Sequence, residues 1–288
     1  MSNSSPCLCA SVARHMKMAL MHRNPRIVLG LVLLAGLAVP VTADAQRGGG
    51  AATPAGPAAA RAVAPKDLTG DWVSVVAEHW HLRMLVPPKG DFSMLPLNPE
   101  ARRIANLWDP AKEPPGDGQC KSYGAAAIMR IPGRLHIHWA NDNALQMDID
   151  SGTQTRLFHF GGPAGAAANT APSWQGYSAA EWEGISTAEL RARRAGAGED
   201  VRAGLRVITT RLRPGYLRKN GVPYSENARL EEHFDRFKEP NGDDWIVVDS
   251  FVTDPLYLTG PYISSVAFKK IPDGQGWDPT PCRANEAR

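Results

Sequence analysis

The sequence predicts a mainly β fold in which an antiparallel sheet closes as a barrel or stacks as a sandwich. Three observations predict it. Nine short segments rich in β-branched and aromatic residues are separated by turn signals, only two stretches carry helix-capping patterns, and strands and helices do not alternate.

The first strand is GDWVSVV (70–76), in DLTGDWVSVV, and HLRMLV (81–86) reads as the second. A helix is expected at NPEARRIANLW, where Asn98 caps, Pro99 takes the first helical position, and Ala101, Ile104 and Trp108 fall on one face. Strands follow at RLHIHWA (134–140), ALQMDID (144–150) and TQTRLFHF (153–160). A second helix is expected at STAELRARR, where Ser186 and Glu189 form a capping box and Gly196 ends the run. The last strands are LRVITTRLR (205–213), ARLEEHFDRF (228–237), DWIVVDSFV (244–252) and YISSVAFKK (262–270).

Residues 1–45 read as an export signal. Arg23 and Arg26 precede the apolar run Ile27 to Val39, and Ala43-Asp44-Ala45 supplies a small-x-small cleavage pattern. The run is shorter than the roughly 20 residues that span a bilayer. No transmembrane span is expected in the mature chain, and the start is expected at Met16, Met18 or Met21, which would leave Cys7 and Cys9 untranslated. Residues 46–66 are rich in Gly, Ala and Pro and read as a flexible linker, 67–283 as one barrel domain and 284–288 as a tail.

Without Arg14, Lys17, Arg23, Arg26 and Asp44, the 32 basic and 29 acidic side chains fall to 28 of each. A balanced chain offers no basic stripe for nucleic acid. Cys120 and Cys282 then remain in a periplasmic or secreted setting with no third thiol to compete. They are expected as a disulfide worth ~2–5 kcal/mol, with two free thiols, or a catalytic thiol at Cys120, as the alternatives.

Hairpin register places the candidate chemistry. A three-residue loop at Asn141-Asp142-Asn143 sets Trp139 opposite Leu145, Ile137 opposite Met147 and Leu135 opposite Ile149, and on the other face His138 opposite Gln146 and His136 opposite Asp148. A second three-residue loop, Asp150-Ser151-Gly152, carries the faces onward, so Arg156 joins His136 and Asp148 while Leu157 and His159 join the apolar side. His136, Asp148 and Arg156 form a candidate catalytic set, with imidazole as base, carboxylate to orient it and guanidinium as anion clamp. The competing reading is a surface salt bridge. Two His-x-His pairs, His79/His81 and His136/His138, place imidazoles on one side of a strand. His136 and His138 are therefore metal candidates, against the reading of a solvated sheet face. The segment 211–230 gathers Arg211, Arg213, Arg218, Lys219, Tyr216 and Tyr224 around an Asn220-Gly221 turn, either at the mouth of a ligand site or as a charged hairpin edge. No nucleophile elbow, zinc-protease motif, phosphate loop or dinucleotide fingerprint occurs; GYSAA (176–180) lacks the final glycine of the elbow.

Taken together, LTGDWVSVV, PPKGDFSMLPLN, GTQTRLFHFGG, PSWQGYSAAEWE and RPGYLRKNGVPYS resemble a family of exported bacterial proteins, over nearly the whole mature chain. More loosely, Gly70-x-Trp72 resembles the start of a lipocalin or calycin. There the Trp closes one barrel end and a basic residue of the last strand, here Lys269 or Lys270, lies over it. That resemblance implies a lipocalin-like barrel holding a small, partly apolar ligand, with Trp72, Arg83, His159, Arg211 and Tyr216 as the expected ligand-binding residues. The rival is a periplasmic lyase, isomerase or hydrolase working from the His136 face.

Overall fold

The computed structural model describes residues 58–162, 166–184 and 203–288. The expected leader, the linker up to residue 57 and the helix at 186–196 lie outside the described residues. Eleven strands run in chain order: β1 (Gly70–Val75), β2 (Arg134–Asn141), β3 (Ala144–Ile149), β4 (Gln154–Phe160), β5 (Tyr177–Glu183), β6 (Gly204–Thr210), β7 (Gly215–Arg218), β8 (Val222–Tyr224), β9 (Arg229–Lys238), β10 (Asp244–Thr253) and β11 (Tyr262–Ile271). Nine of them close a barrel in the order β1-β11-β10-β9-β6-β5-β4-β3-β2, while β7 and β8 form a separate two-stranded sheet.

The barrel is mixed, which corrects the expectation of a wholly antiparallel sheet. β4 and β5 run parallel from Phe158 opposite Ser178 to Phe160 opposite Ala180. Parallel neighbours need a crossover of a dozen or more residues, and the stretch 161–176 is long enough to return the chain to the same end of the barrel. β5 itself, YSAAEWE, lacks the β-branched composition that marks a strand and is recruited by its neighbours. Conversely HLRMLV, expected as a strand, opens with a helical turn, α1 (Trp80–Arg83), because His79 takes a left-handed conformation at φ 48° and turns the chain after β1. The predicted helix forms as α2 (Pro99–Leu107), with Asn98 Oδ1 accepting from the Ala101 amide at 2.9 Å. Its buried side is Ala101 and Ala105; Trp108 has already left the helix.

Inward-pointing side chains pack the middle of the barrel. Trp72, Ile137, Met147, Phe158, Phe234 and Phe268 are all fully buried in one cluster, each worth roughly 1.5–3 kcal/mol of burial. Aromatic contacts knit the interior: Phe158 of β4 lies 5.5 Å from Phe234 of β9, and Phe160 stacks on Trp182 of the neighbouring β5 at 5.3 Å. A second apolar core continues from one end of the barrel, where inward Leu230 and Val252 join Ala101 and Ala105 of α2, Leu95, and Leu217, Val222 and Tyr224 of the β7–β8 hairpin. The hairpin at Asn220-Gly221 is thus present, but it is interior. Arg218, Lys219, Asn220 and Tyr224 are buried, which excludes the charged-edge reading for them.

The first hairpin forms in the predicted register, from Leu135 opposite Ile149 to Trp139 opposite Leu145. The second does not. Its loop takes four residues, Asp150 to Thr153, so Ile149 pairs with Gln154 and Met147 with Arg156. A shift of one residue exchanges the faces of β4. Arg156 therefore points into the barrel and Leu157 and His159 point out, the reverse of the expectation. Gly152 and Thr153 accept positive φ (76° and 49°), and Asp150 Oδ1 accepts from the Arg134 amide at 2.8 Å, which fixes the longer loop.

Both ends of the described chain are bound down. Residues 58–66, expected as linker, pack on the barrel: the Ala60 amide donates to Asn143 Oδ1 at 2.9 Å, the Arg61 amide to the Asp142 carbonyl at 3.0 Å, and Lys66 is buried beside Asp235 at 2.5 Å. The predicted disulfide Cys120–Cys282 is present. The expected tail beyond it is anchored through Arg288 to Asp150 at 2.6 Å. Among the described residues no helix is long and apolar enough to cross a membrane.

Candidate functional site

Gly70-Asp71-Trp72 organises one end of the barrel because adjacent residues of a strand face opposite ways. Trp72 points in and is fully buried, its Nε1 donating to the Leu68 carbonyl at 3.1 Å. Lys270, its cross-strand partner on β11, carries its Nζ to 5.3 Å from the Trp72 ring and donates to the Thr69 carbonyl at 3.0 Å. The Gly is explained by that crossing lysine: Gly70 has φ 116°, and a Cβ there would meet Lys270 Cε at 2.8 Å. Lys270, not Lys269, takes this place. Lys269 instead pairs with Asp243 at 2.7 Å.

Asp71 points out, onto the wall formed by β1, β2 and β3. Its Oδ1 lies 2.8 Å from His136 Nδ1, and its Oδ2 accepts from the Gly274 amide at 2.7 Å. His138, two residues along β2, has its ring 5.1 Å from that of His136. Asp148 faces His136 from β3; it accepts from Gln146 Nε2 at 2.9 and 3.0 Å and from Thr155 Oγ1 at 2.6 Å. His138 Nδ1 lies 3.8 Å from Asp148 Oδ2. After β11 the chain folds back over this wall and brings Asp273 and Trp277. A cleft of about 790 Å³ opens between them, lined also by Thr69 and Lys270.

His136 and Asp148 are thus brought together as expected, but Arg156 is not with them. It lies inside the barrel, where Nη1 and Nη2 donate to Glu232 at 3.0 and 2.5 Å and Nη2 reaches Thr209 Oγ1 at 3.3 Å. With its guanidinium committed to a buried carboxylate, it cannot clamp an anion on the outer wall. Among the described residues no group of three or more His, Cys, Asp or Glu side chains is placed to hold a metal ion, so His136 and His138 have imidazole company but not a ligand set.

The five residues expected around a ligand inside the barrel do not share a site. Only Trp72 is interior. Arg83 sits on α1, its Nε donating to the Arg130 carbonyl at 3.0 Å and its Nη1 paired with Glu78; burial lowers its pKa. His159 faces outward, stacked on Tyr177 at 4.9 Å, its pKa lowered by desolvation. Arg211 is exposed and donates to the Thr170 carbonyl at 3.0 Å. Tyr216, on β7, is half-buried edge-on to Trp108 and donates to Glu113 Oε1 at 2.6 Å; burial and then that carboxylate raise its pKa.

Asp71, Asp273 and Trp277 were not anticipated. Asp71 had a signal, since an inward Trp72 requires an outward Asp71. Asp273 and Trp277 had none, because only the folded chain returns them to the wall. These features define a class: a closed nine-stranded mixed β-barrel with a second apolar core at one end and a polar cleft on its outer wall. Compared with protein-family models, with curated proteins and with solved structures, the chain finds no match.

Proposed function

We propose that this is a small-ligand-binding barrel protein that works outside the reducing cytosol, and that its ligand sits in the cleft on the β1–β2–β3 wall. The leader-like sequence, the likeness to exported bacterial proteins and the Cys120–Cys282 bond support the location. The packed aromatic middle of the barrel favours the outer cleft over the interior expected from the lipocalin likeness.

The observation that carries the reading is the cleft's lining: three carboxylates, Asp71, Asp148 and Asp273, against one ammonium, Lys270, with the Trp277 indole at the rim. Such a lining suits a small amine-bearing ligand, held by carboxylates and by the face of an indole. The test is isothermal titration of the purified protein with choline, spermidine and histamine, with Trp277 fluorescence followed in parallel. Saturable binding that falls about tenfold in Asp148→Asn, and a fluorescence change absent from Trp277→Phe, support the proposal. Binding of none of the three, or binding indifferent to both substitutions, refutes it.

A second reading is favoured by one contact. Asp71, nearly buried and 2.8 Å from His136 Nδ1, orients the imidazole as a carboxylate orients a general base. On this reading the cleft turns its ligand over, and His136→Gln would abolish turnover while leaving binding within a few-fold.

A further inference from the structure

A second cleft, of about 180 Å³, lies where β11 begins and shares no lining residue with the first. It is lined by Arg130, Arg218, Tyr262, Ser264, Ser265 and the turn at Glu78-His79. Arg218 follows from the β7–β8 hairpin and is only 5 % exposed, yet its Nε and Nη1 are buried with no hydrogen-bond partner. Tyr262 is 3 % exposed and its hydroxyl is likewise buried and unpartnered. The guanidiniums of Arg218 and Arg130 stand 5.9 and 6.0 Å from the centroid of the Tyr262 ring.

The nearby carboxylates are otherwise engaged. Glu78 is paired with Arg83, and Asp91 takes its hydrogen bonds from the side chain and amide of Ser93. Arg83 adds to the positive charge, since its Nη2 is also buried without a partner and it lines, with Arg130 and Arg218, a small adjoining cleft. Burying a charge without a counter-charge is costly, and clustering like charges adds to the cost. Guanidiniums with buried, unpartnered N–H groups beside carboxylates already engaged elsewhere therefore make a place suited to an anion. Guanidiniums match planar or tetrahedral oxyanions, and a tyrosine hydroxyl and two serines supply neutral donors at the same opening. The volume suits a head group with a few attached atoms and is below that of most drug-sized sites.

We infer that the cleft beside Tyr262 binds a small molecule through a carboxylate or phosphoryl oxyanion, held by Arg218 and Arg130 with Tyr262 donating from its hydroxyl. This site does not depend on what the outer-wall cleft binds.

The test is titration calorimetry of the full chain with inorganic phosphate and with acetate, against sodium chloride at equal ionic strength. The expected result is saturable heat from phosphate or acetate and none from chloride, the better of the two identifying the head group. Arg218→Met weakens that binding at least about tenfold and Tyr262→Phe several-fold. In phosphate-free buffer Arg218→Met melts no lower than the parent, because it removes an uncompensated charge; a purely structural arginine would show the opposite. Where Arg218→Met does not fold, Tyr262→Phe, which deletes a single oxygen, carries the same test. Absence of saturable heat from both anions, or equal affinity in the parent and Tyr262→Phe, overturns the inference.

Discussion

Replacing Arg156 with Met removes one half of the ion pair at the centre of the barrel. Both side chains of the Arg156–Glu232 pair are wholly inaccessible to water, and two hydrogen bonds join them. A carboxylate left alone there has no solvent and, in place of a counter-charge, neutral hydroxyls such as Ser250, opposite Glu232 on β10, and the Thr209–Ser178 pair beside Arg156. Removal of one partner of such a pair costs about 3–5 kcal/mol, a large part of the roughly 5–15 kcal/mol that holds a domain together. Replacing both, Arg156→Met with Glu232→Leu, removes the two desolvation penalties together and should bring stability back to within about 1–2 kcal/mol of the parent or above it. Urea denaturation, with the disulfide intact, measures all four corners of the cycle without altering ionic strength. A cost below about 1 kcal/mol for either single replacement, or a double variant that loses the sum of the two singles, would refute the assignment of Arg156 to the interior.

Two further outcomes follow from the turn between β7 and β8. Burial lowers the pKa of Lys219 to about 7, outweighing the attraction of Glu286. The unfolded chain, with a lysine near ~10.4, then binds the extra proton between those values, so stability rises as pH climbs from about 7 toward 10; Lys219→Met flattens that slope in urea midpoints measured across the range. Gly221 has φ 79° and a Cβ there would lie 2.2 Å from Trp108 Cγ, so Gly221→Ala should cost more than about 1 kcal/mol in thermal melts, against a near-neutral change for Gly260→Ala, where the space is open and φ is not positive.

What could be read from the sequence tracks how local its cause is. The Asn98 cap of α2 and the register of the β2–β3 hairpin depend on a few neighbouring residues and their alternation, and both formed as read. The β3–β4 turn depends on distant partners. Asp150 is held by the Arg134 amide, by the Thr280 amide donating to its carbonyl, and by Arg288, while Tyr123 packs on Gly152 so closely that a Cβ there would lie 2.3 Å away. Those contacts favour a four-residue loop over the three-residue one that local turn chemistry suggests, and they move Arg156 from the outer wall to the core. The candidate site divides in the same way. His136 and Asp148 are neighbours through a local hairpin, whereas Asp71 reaches His136 only because barrel closure pairs β1 with β2. The burial of Arg218 and Lys219 was illegible for a related reason: a charged run at an Asn-Gly turn reads as surface until a second core is known to enclose it.

The same distant contacts link the cleft wall to the disulfide. The chain after β11 carries no strand or α-helix, yet it supplies Asp273 and Trp277 to the cleft, and its Gly274 amide fixes the Asp71 carboxylate that orients His136. Irregular backbone of this kind is drawn from the low-stability end of a fold, because few ladder hydrogen bonds oppose its opening. Here its far end is tied twice, covalently at Cys282 to Cys120 and electrostatically at Arg288 to Asp150. Cross-linking positions 162 residues apart removes much of the freedom that an opened segment would gain, which is where a bond of this span contributes most. The ionic tie alone, with Arg288 partly solvated, is worth far less. Reduction of Cys120–Cys282 is therefore expected to loosen the segment that carries Gly274 and, through it, the hold on Asp71, which protease nicking between Ile271 and Cys282 before and after reduction would register.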